Sequence, residues 1–222
     1  AKAALSLDHS VDVALFGRMV ADDANLNVDA ACQVAHAIST HAVATEFDYY
    51  TAVDDQNPAE ETGAGMIGTI EFDSATLYRY ATINVPALLR SLGDTEATAQ
   101  AVEAFVRSFA TSMPTGKQNT FANRTAPDAV VVMVRPDRPV NLVGAFEEPV
   151  RGRSGYMAGS CEALANYAVD VAEAFGSPPT DTWITRVGSR TDGLASLGET
   201  VQFDDLVQRV GDRTRAVLMD RP

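Results

Sequence analysis

Cysteine, lysine, histidine and tryptophan are all scarce in this chain of 222 residues, and each shortage closes off a class of chemistry. The two cysteines, Cys32 and Cys161, lie far apart with no CxxC spacing and no metal-like neighbourhood. A disulfide scaffold and a thiolate metal centre are therefore not expected, and two buried, reduced thiols in a cytoplasmic protein are. No stretch approaches the ~18 apolar residues of a membrane span. No basic-then-apolar leader is read at the start, which runs Ala1-Lys2-Ala3-Ala4 without Met, so a piece of a longer protein is expected. Lysine occurs at Lys2 and Lys117 and nowhere else. Up to Tyr78, Lys2 and Arg18 face thirteen acidic residues, which carry most of the net charge of −13. A nucleic-acid binder normally presents a basic face, and charge alone argues against one here.

The three histidines are His9, His36 and His41. His36 and His41 are five positions apart, whereas a zinc-binding helix uses i, i+4. A hydrogen-bonding role is expected for them. The enzymatic alternative is a hydrolase or nuclease that sets His36 or His41 beside Asp54 or Asp55. Those two aspartates are neighbours and would point to opposite faces of a strand, which does not make a joint metal site. GxSxG, HExxH and Walker loops are absent. Gly63 to Gly68 fits GxGxxG in letters, yet strand-forming residues follow it where a dinucleotide site needs a helix. No cofactor and no metal are expected.

What is present is a mixture of helix and strand patterns without a strict βαβα rhythm, which predicts an α+β class. Two runs of high strand propensity, Ala42 to Val53 and Gly65 to Tyr80, flank the polar, acidic stretch Asp54 to Thr62. That is a long hairpin with an exposed tip, built to touch something outside its own domain. Val11 to Phe16 is read as a strand ending at Gly17, and Val28 to Ile38 as a short helix capped by Asn27. A helical turn is read from Val85 to Leu92, and long helices from Asp94 to Ser112 and from Gly155 to Phe175. A last helix is read over Thr200 to Val210. Ala129 to Val134 reads as a central strand covered on both faces, and Trp183 to Val187 as another strand.

Two loops carry candidate binding chemistry. Pro114 to Phe121 directly follows a long helix and combines a glycine, Lys117, the amides of Gln118 and Asn119, hydroxyls and an aromatic, groups suited to phosphate and sugar oxygens. Gly17-Arg18-Met19 sets a residue permitting close backbone approach beside a lone cation and a flexible apolar wedge.

Six segments occur in order along the chain: VDVALFGRM from Val11 to Met19, AHAISTH from Ala35 to His41, TAVDD from Thr51 to Asp55, YRYATIN from Tyr78 to Asn84, PTGKQ from Pro114 to Gln118, and NLVGAFE from Asn141 to Glu147. Together they resemble the CasC family, the repeated backbone subunit of the type I-E CRISPR Cascade complex. The resemblance covers nearly the whole chain and falls on the C-terminal part of the family, without its first palm strand, basic segment and finger helices. It implies an RNA-recognition-motif-like (ferredoxin-like) palm over 1–222, with a β-hairpin thumb inserted at about 43–74. It further implies copies of the protein polymerised along a CRISPR guide RNA with other Cascade subunits, supporting target DNA hybridisation in antiviral defence. The subunit is expected to be non-catalytic. Carried over by motif, Gly17, Arg18, Met19, Thr51, Lys117, Gln118 and Asn119 would bind RNA, with Met19 and Thr51 around a displaced nucleotide.

Overall fold

The computed structural model describes residues 10–53 and 64–220. Among these residues helices are mixed with four small sheets, which makes the class α+β. The first described element is a helix, α1 (Val11–Phe16), where a strand was expected. Ser10 caps it by accepting from the Val13 amide, and Ala14 and Leu15 are buried beneath it. In a six-residue apolar run alternation and helical spacing are hard to tell apart, and the serine three residues before Val13 is the signal that decides.

The expected helix over Val28 to Ile38 is likewise absent. In its place stand β1 (Cys32–Val34) and β2 (Ile38–Ser39), followed by β3 (Glu46–Val53), β4 (Ala64–Phe72), β5 (Leu77–Tyr78) and β6 (Ala81–Ile83). Three antiparallel pairs nest around one another: β1 with β6, β2 with β5, and β3 with β4 innermost. The strands nearest the body therefore guide the chain out to a hairpin and back. Partners some 40 to 50 positions away override the local helical spacing, because the ladder satisfies backbone groups that one short helix would leave at its ends.

Helix α2 (Val85–Leu92) starts at Asn84, whose side chain accepts from the Ala87 amide at 3.0 Å, and stops at Gly93 in the left-handed region. Helix α3 (Thr95–Thr111) is capped by Asp94 at 2.7 Å and buries Ala101, Val102 and Phe105. After the single turn α4 (Gln118–Phe121) come β7 (Ala129–Val134), α5 (Met157–Phe175), β8 (Asp181–Arg186), β9 (Glu199–Thr200) and α6 (Phe203–Met219). The last helix runs well past Val210, its expected end, and buries Leu206, Val207, Val210, Thr214 and Leu218.

Strand β8, not β7, is central in the three-stranded sheet: β7 pairs with it antiparallel on one side and β9 parallel on the other. Trp183 faces a cluster with Leu15, Leu88, Val102, Phe105 and Leu206, while Ile184 faces a second with Cys161, Ala165 and Leu194. Successive side chains of one strand thus serve two cores. The apolar run of β7 has the same cause. Val130, Val132 and Val134 lean on the first cluster and Ala129 and Val131 on the second, although β7 lies at the sheet edge and stays half-buried. Burying Ile184 completely contributes about 1.5–3 kcal/mol.

Candidate nucleic-acid interface

The hairpin of β3 and β4 contributes none of its described residues to either core. Its register places Phe47, Tyr49 and Thr51 opposite Glu71, Thr69 and Ile67 on one exposed face, with Tyr49 75% and Ile67 71% exposed. On the other face the Tyr50 ring lies where a side chain at Gly68 would stand, and Ile70 and Phe72 are half-buried. The expected tip, including Asp54 and Asp55, lies outside the described residues.

A polar knot holds the hairpin's foot. Thr40, just before the outgoing strand, receives a backbone bond at Val150 and gives one to Thr76. Ser160 of α5 donates to the Thr40 hydroxyl at 2.8 Å. His41 is 8% exposed and stacks on Tyr156 with ring centroids 3.7 Å apart. The Thr76 amide donates to its Nε2 at 3.1 Å, so Nδ1 carries the hydrogen and donates to the Ala42 carbonyl at 2.8 Å. Both ring nitrogens are thereby engaged on backbone, the hydrogen-bonding role expected for this histidine. His36 is exposed between β1 and β2. Among the described residues no group of three His, Cys, Asp or Glu side chains could hold a metal ion.

Lys117 stands exposed at the entrance of α4, with φ 59°, and Ala122 at its exit has φ 50°. Left-handed backbone at a residue other than glycine costs on the order of 1 kcal/mol, so this turn is held by its surroundings. Two contacts hold it. Phe121 packs on Phe72 at the hairpin's base, with centroids 5.7 Å apart, and the Gln118 side-chain carbonyl accepts from Arg124 at 2.8 Å. Asn119 is exposed beside them. The turn that carries Lys117, Gln118 and Asn119 thus meets the base of the hairpin through Phe121, while Thr51 stands five residues further out along β3.

Gly17, Arg18 and Met19 sit elsewhere. Gly17 closes α1 with φ 79°, and a Cβ there would lie 2.8 Å from the Val28 carbonyl oxygen, so the backbone that approaches it closely is the chain's own. Arg18 forms a bridge with Val28 and donates from Nε and Nη2 to the Leu26 carbonyl at 2.9 and 2.7 Å. Met19 is 85% exposed. Sequence reasoning overlooked three further cations. Arg124 lies beside Gln118, and Arg151 and Arg153 are exposed in the glycine-bearing loop before α5. Nothing in the local sequence marked them, since Arg124 lies four residues before Asp128 and Arg151 three residues after Glu148.

Two other motif segments meet inside the fold. The Tyr78 hydroxyl donates to Asn141 Oδ1 at 3.0 Å and accepts from the Leu142 amide at 3.2 Å, and its ring packs on Phe146. Burial pushes the Tyr78 phenol up to about 12.

Residues 1–209 match the family described as CT1975-like protein. The chain belongs to that family. Among solved structures, this CT1975-like chain is similar to a chain of a CRISPR RNA-guided surveillance complex, pre-nicking. The two are 37% identical with a TM-score of 0.86, over 93% of this chain and 56% of that one. A chain of another CRISPR RNA-guided surveillance complex is 37% identical with a TM-score of 0.83, over 91% of this chain and 78% of that one. The chain thus spans little more than half the length of the first relative. No curated protein matches it.

Proposed function

We propose that this chain is a guide-RNA-coating backbone subunit of a Cascade-type complex of type I-E, and the C-terminal part of its family's length. The single observation that carries this is close structural likeness, at 37% identity, to chains of RNA-guided surveillance complexes. In this reading the chain is an RNA-recognition-motif-like palm and the hairpin is its thumb. Copies assemble head to tail into an open filament, as heterologous contacts do when they do not close. The subunit holds the guide by backbone and shape, because one subunit type must accept any guide sequence, and it leaves the bases free to pair with target DNA. It cuts nothing itself, and His41 is a strut.

Lys117, Gln118 and Asn119 would contact sugar and phosphate, and Met19 and Thr51 would flank a displaced nucleotide. Gly17 and Arg18 would support Met19 by shaping its loop. The exposed thumb face of Tyr49 and Ile67 and the turn braced by Phe121 support this division of labour. The test is filter binding of labelled guide to the full-length protein with Lys117→Glu. Each phosphate lost from a single strand lowers the salt slope by ~0.7, or about fivefold in affinity near 0.1 M salt. Wild-type protein that fails to coat RNA, even with its companion subunits, refutes the reading.

A further inference from the structure

A cavity of about 320 Å³ opens between the end of α3 and the segment that leads into β7. Its polar lining is Thr111, Thr115, Gln118, Asn123, Arg124 and Thr125, and Pro114 and Pro127 form apolar walls. Among the described residues no carboxylate lines it, although acids outnumber bases 30 to 17 in the chain. Arg124 is exposed, has no acid partner among the described residues, and is steered by one neutral bond to the Gln118 side chain. Lys117 is the residue next to Gln118. A guanidinium set among hydroxyls and amides, with no counter-ion, is a receptor for a phosphate or a ribose oxygen.

We propose that this cavity is a further nucleotide subsite, in which Arg124 holds one backbone phosphate of single-stranded nucleic acid and the threonine hydroxyls and Asn123 take its sugar. The inference rests on the guide-binding function proposed above and names a residue outside the PTGKQ segment. Placement supports it. Helix α4 is four residues, or about 6 Å, long. Gln118 at its first position lines the cavity, and Phe121 at its last packs on Phe72 of the hairpin. A strand passing the foot of the hairpin is therefore within one nucleotide's reach of Arg124. The Gln118 side-chain carbonyl then also serves to position Arg124, because it aims the guanidinium, and Arg124 makes the phosphate contact in the cavity.

The experiment uses full-length protein and two single-stranded guides of unrelated sequence, with binding followed from about 0.05 to 0.4 M salt. Arg124→Gln is expected to lower the salt slope by ~0.7 and to weaken both guides about fivefold near 0.1 M, while Arg124→Lys keeps the slope. Arg124→Gln with an unchanged slope overturns the inference even if wild-type protein coats RNA. So does a common fall in melting temperature for both variants with no change of slope, which would make Arg124 a packing residue. A second arm adds complementary DNA to the assembled complex. A slope change that appears only with the DNA assigns the phosphate to the target strand and overturns the guide assignment. Failure of wild-type protein to bind any guide is a different result and strikes the functional reading itself.

Discussion

His41 is the strut whose removal should report most directly on how the hairpin is held. Its ring spans from Ala42, where the chain leaves for the hairpin, to Thr76, where it returns, and stacks on Tyr156 of the body. Three losses add in His41→Ala. The stack contributes about 0.5–1.5 kcal/mol. The bond to the exposed Ala42 carbonyl is worth about 0.5–1, because water replaces the donor. The Thr76 amide is half-buried and costs about 1–2 when left without its acceptor. His41→Ala should therefore cost about 3 kcal/mol. His41→Phe keeps the stack and loses both bonds, and should cost about 2. The ordering comes from chemistry the structure fixes: Nε2 must accept, and a phenyl ring cannot.

Urea denaturation of wild type and both variants measures the totals, and amide exchange at Thr76 isolates the foot. Local opening should speed exchange there by about tenfold for each 1.4 kcal/mol lost. A His41→Phe variant as stable as wild type would refute the reasoning, since stacking alone would then hold the foot. The same proteins test the enzymatic alternative, because a strut leaves no hydrolysis to lose.

Two further outcomes follow from the structure. The Glu96 carboxyl is held down to about 2 by hydrogen bonds from Arg215, aided by Gln100, so its folded value lies below its ordinary value of 4.5. Its contribution is present above about 4.5 and is lost as pH falls through about 2, so melting curves should show Glu96→Gln less stable than wild type at neutral pH and converging with it in acid; parallel curves would refute this. Gly17→Ala should cost about 2–4 kcal/mol in denaturant, because it places a Cβ against the Val28 carbonyl at a backbone conformation, φ 79° and ψ 174°, that only glycine adopts readily; a cost below 1 kcal/mol would show that the loop gives way.

How much of this was legible depended on where each element's partner lies. Helix α3 was readable because its determinants are local: Asp94 caps it, Ala101, Val102 and Phe105 repeat at its period, and Pro114 follows. The hairpin was readable because its two strands carry the right residues on both sides of a polar stretch. Strands β1 and β2 were not, since Cys32 and Ile38 become strand residues only by pairing with Ile83 and Tyr78. The apolar run of β7 gave the correct inference of two covered faces and the wrong place in the sheet, because an edge strand leaning on two cores has the composition of a central one. In the site, Lys117 stood out by rarity. Arg124 did not, for what marks it is that no acid among the described residues pairs with it, and that is a property of the folded chain.

That property also bears on the tension between a net charge of −13 and the polyanionic ligand proposed above. Most of the cations along the helices and the three-stranded sheet are engaged with acids: Arg107 with Asp204, Arg186 with Asp192, Arg209 with Glu199, Arg213 with Asp181, and Arg215 with Glu96, Glu103 and Asp212. Lys117, Arg124, Arg151 and Arg153 are different: they lie exposed at the ends and loops around the hairpin's foot, with no acid partner among the described residues. Charges more than about 8–10 Å away are largely screened at physiological salt, so a phosphate near the foot responds to those side chains far more than to distant carboxylates. Total charge then bears on solubility and on repulsion between copies, and the sorting of cations into paired and unpaired sets bears on binding. If the sorting governs, charge reversal at exposed Glu173 on α5 should leave guide affinity nearly unchanged, whereas reversal at Lys117 should weaken it at least fivefold; equal effects would mean that net charge, rather than this local arrangement, sets the interaction.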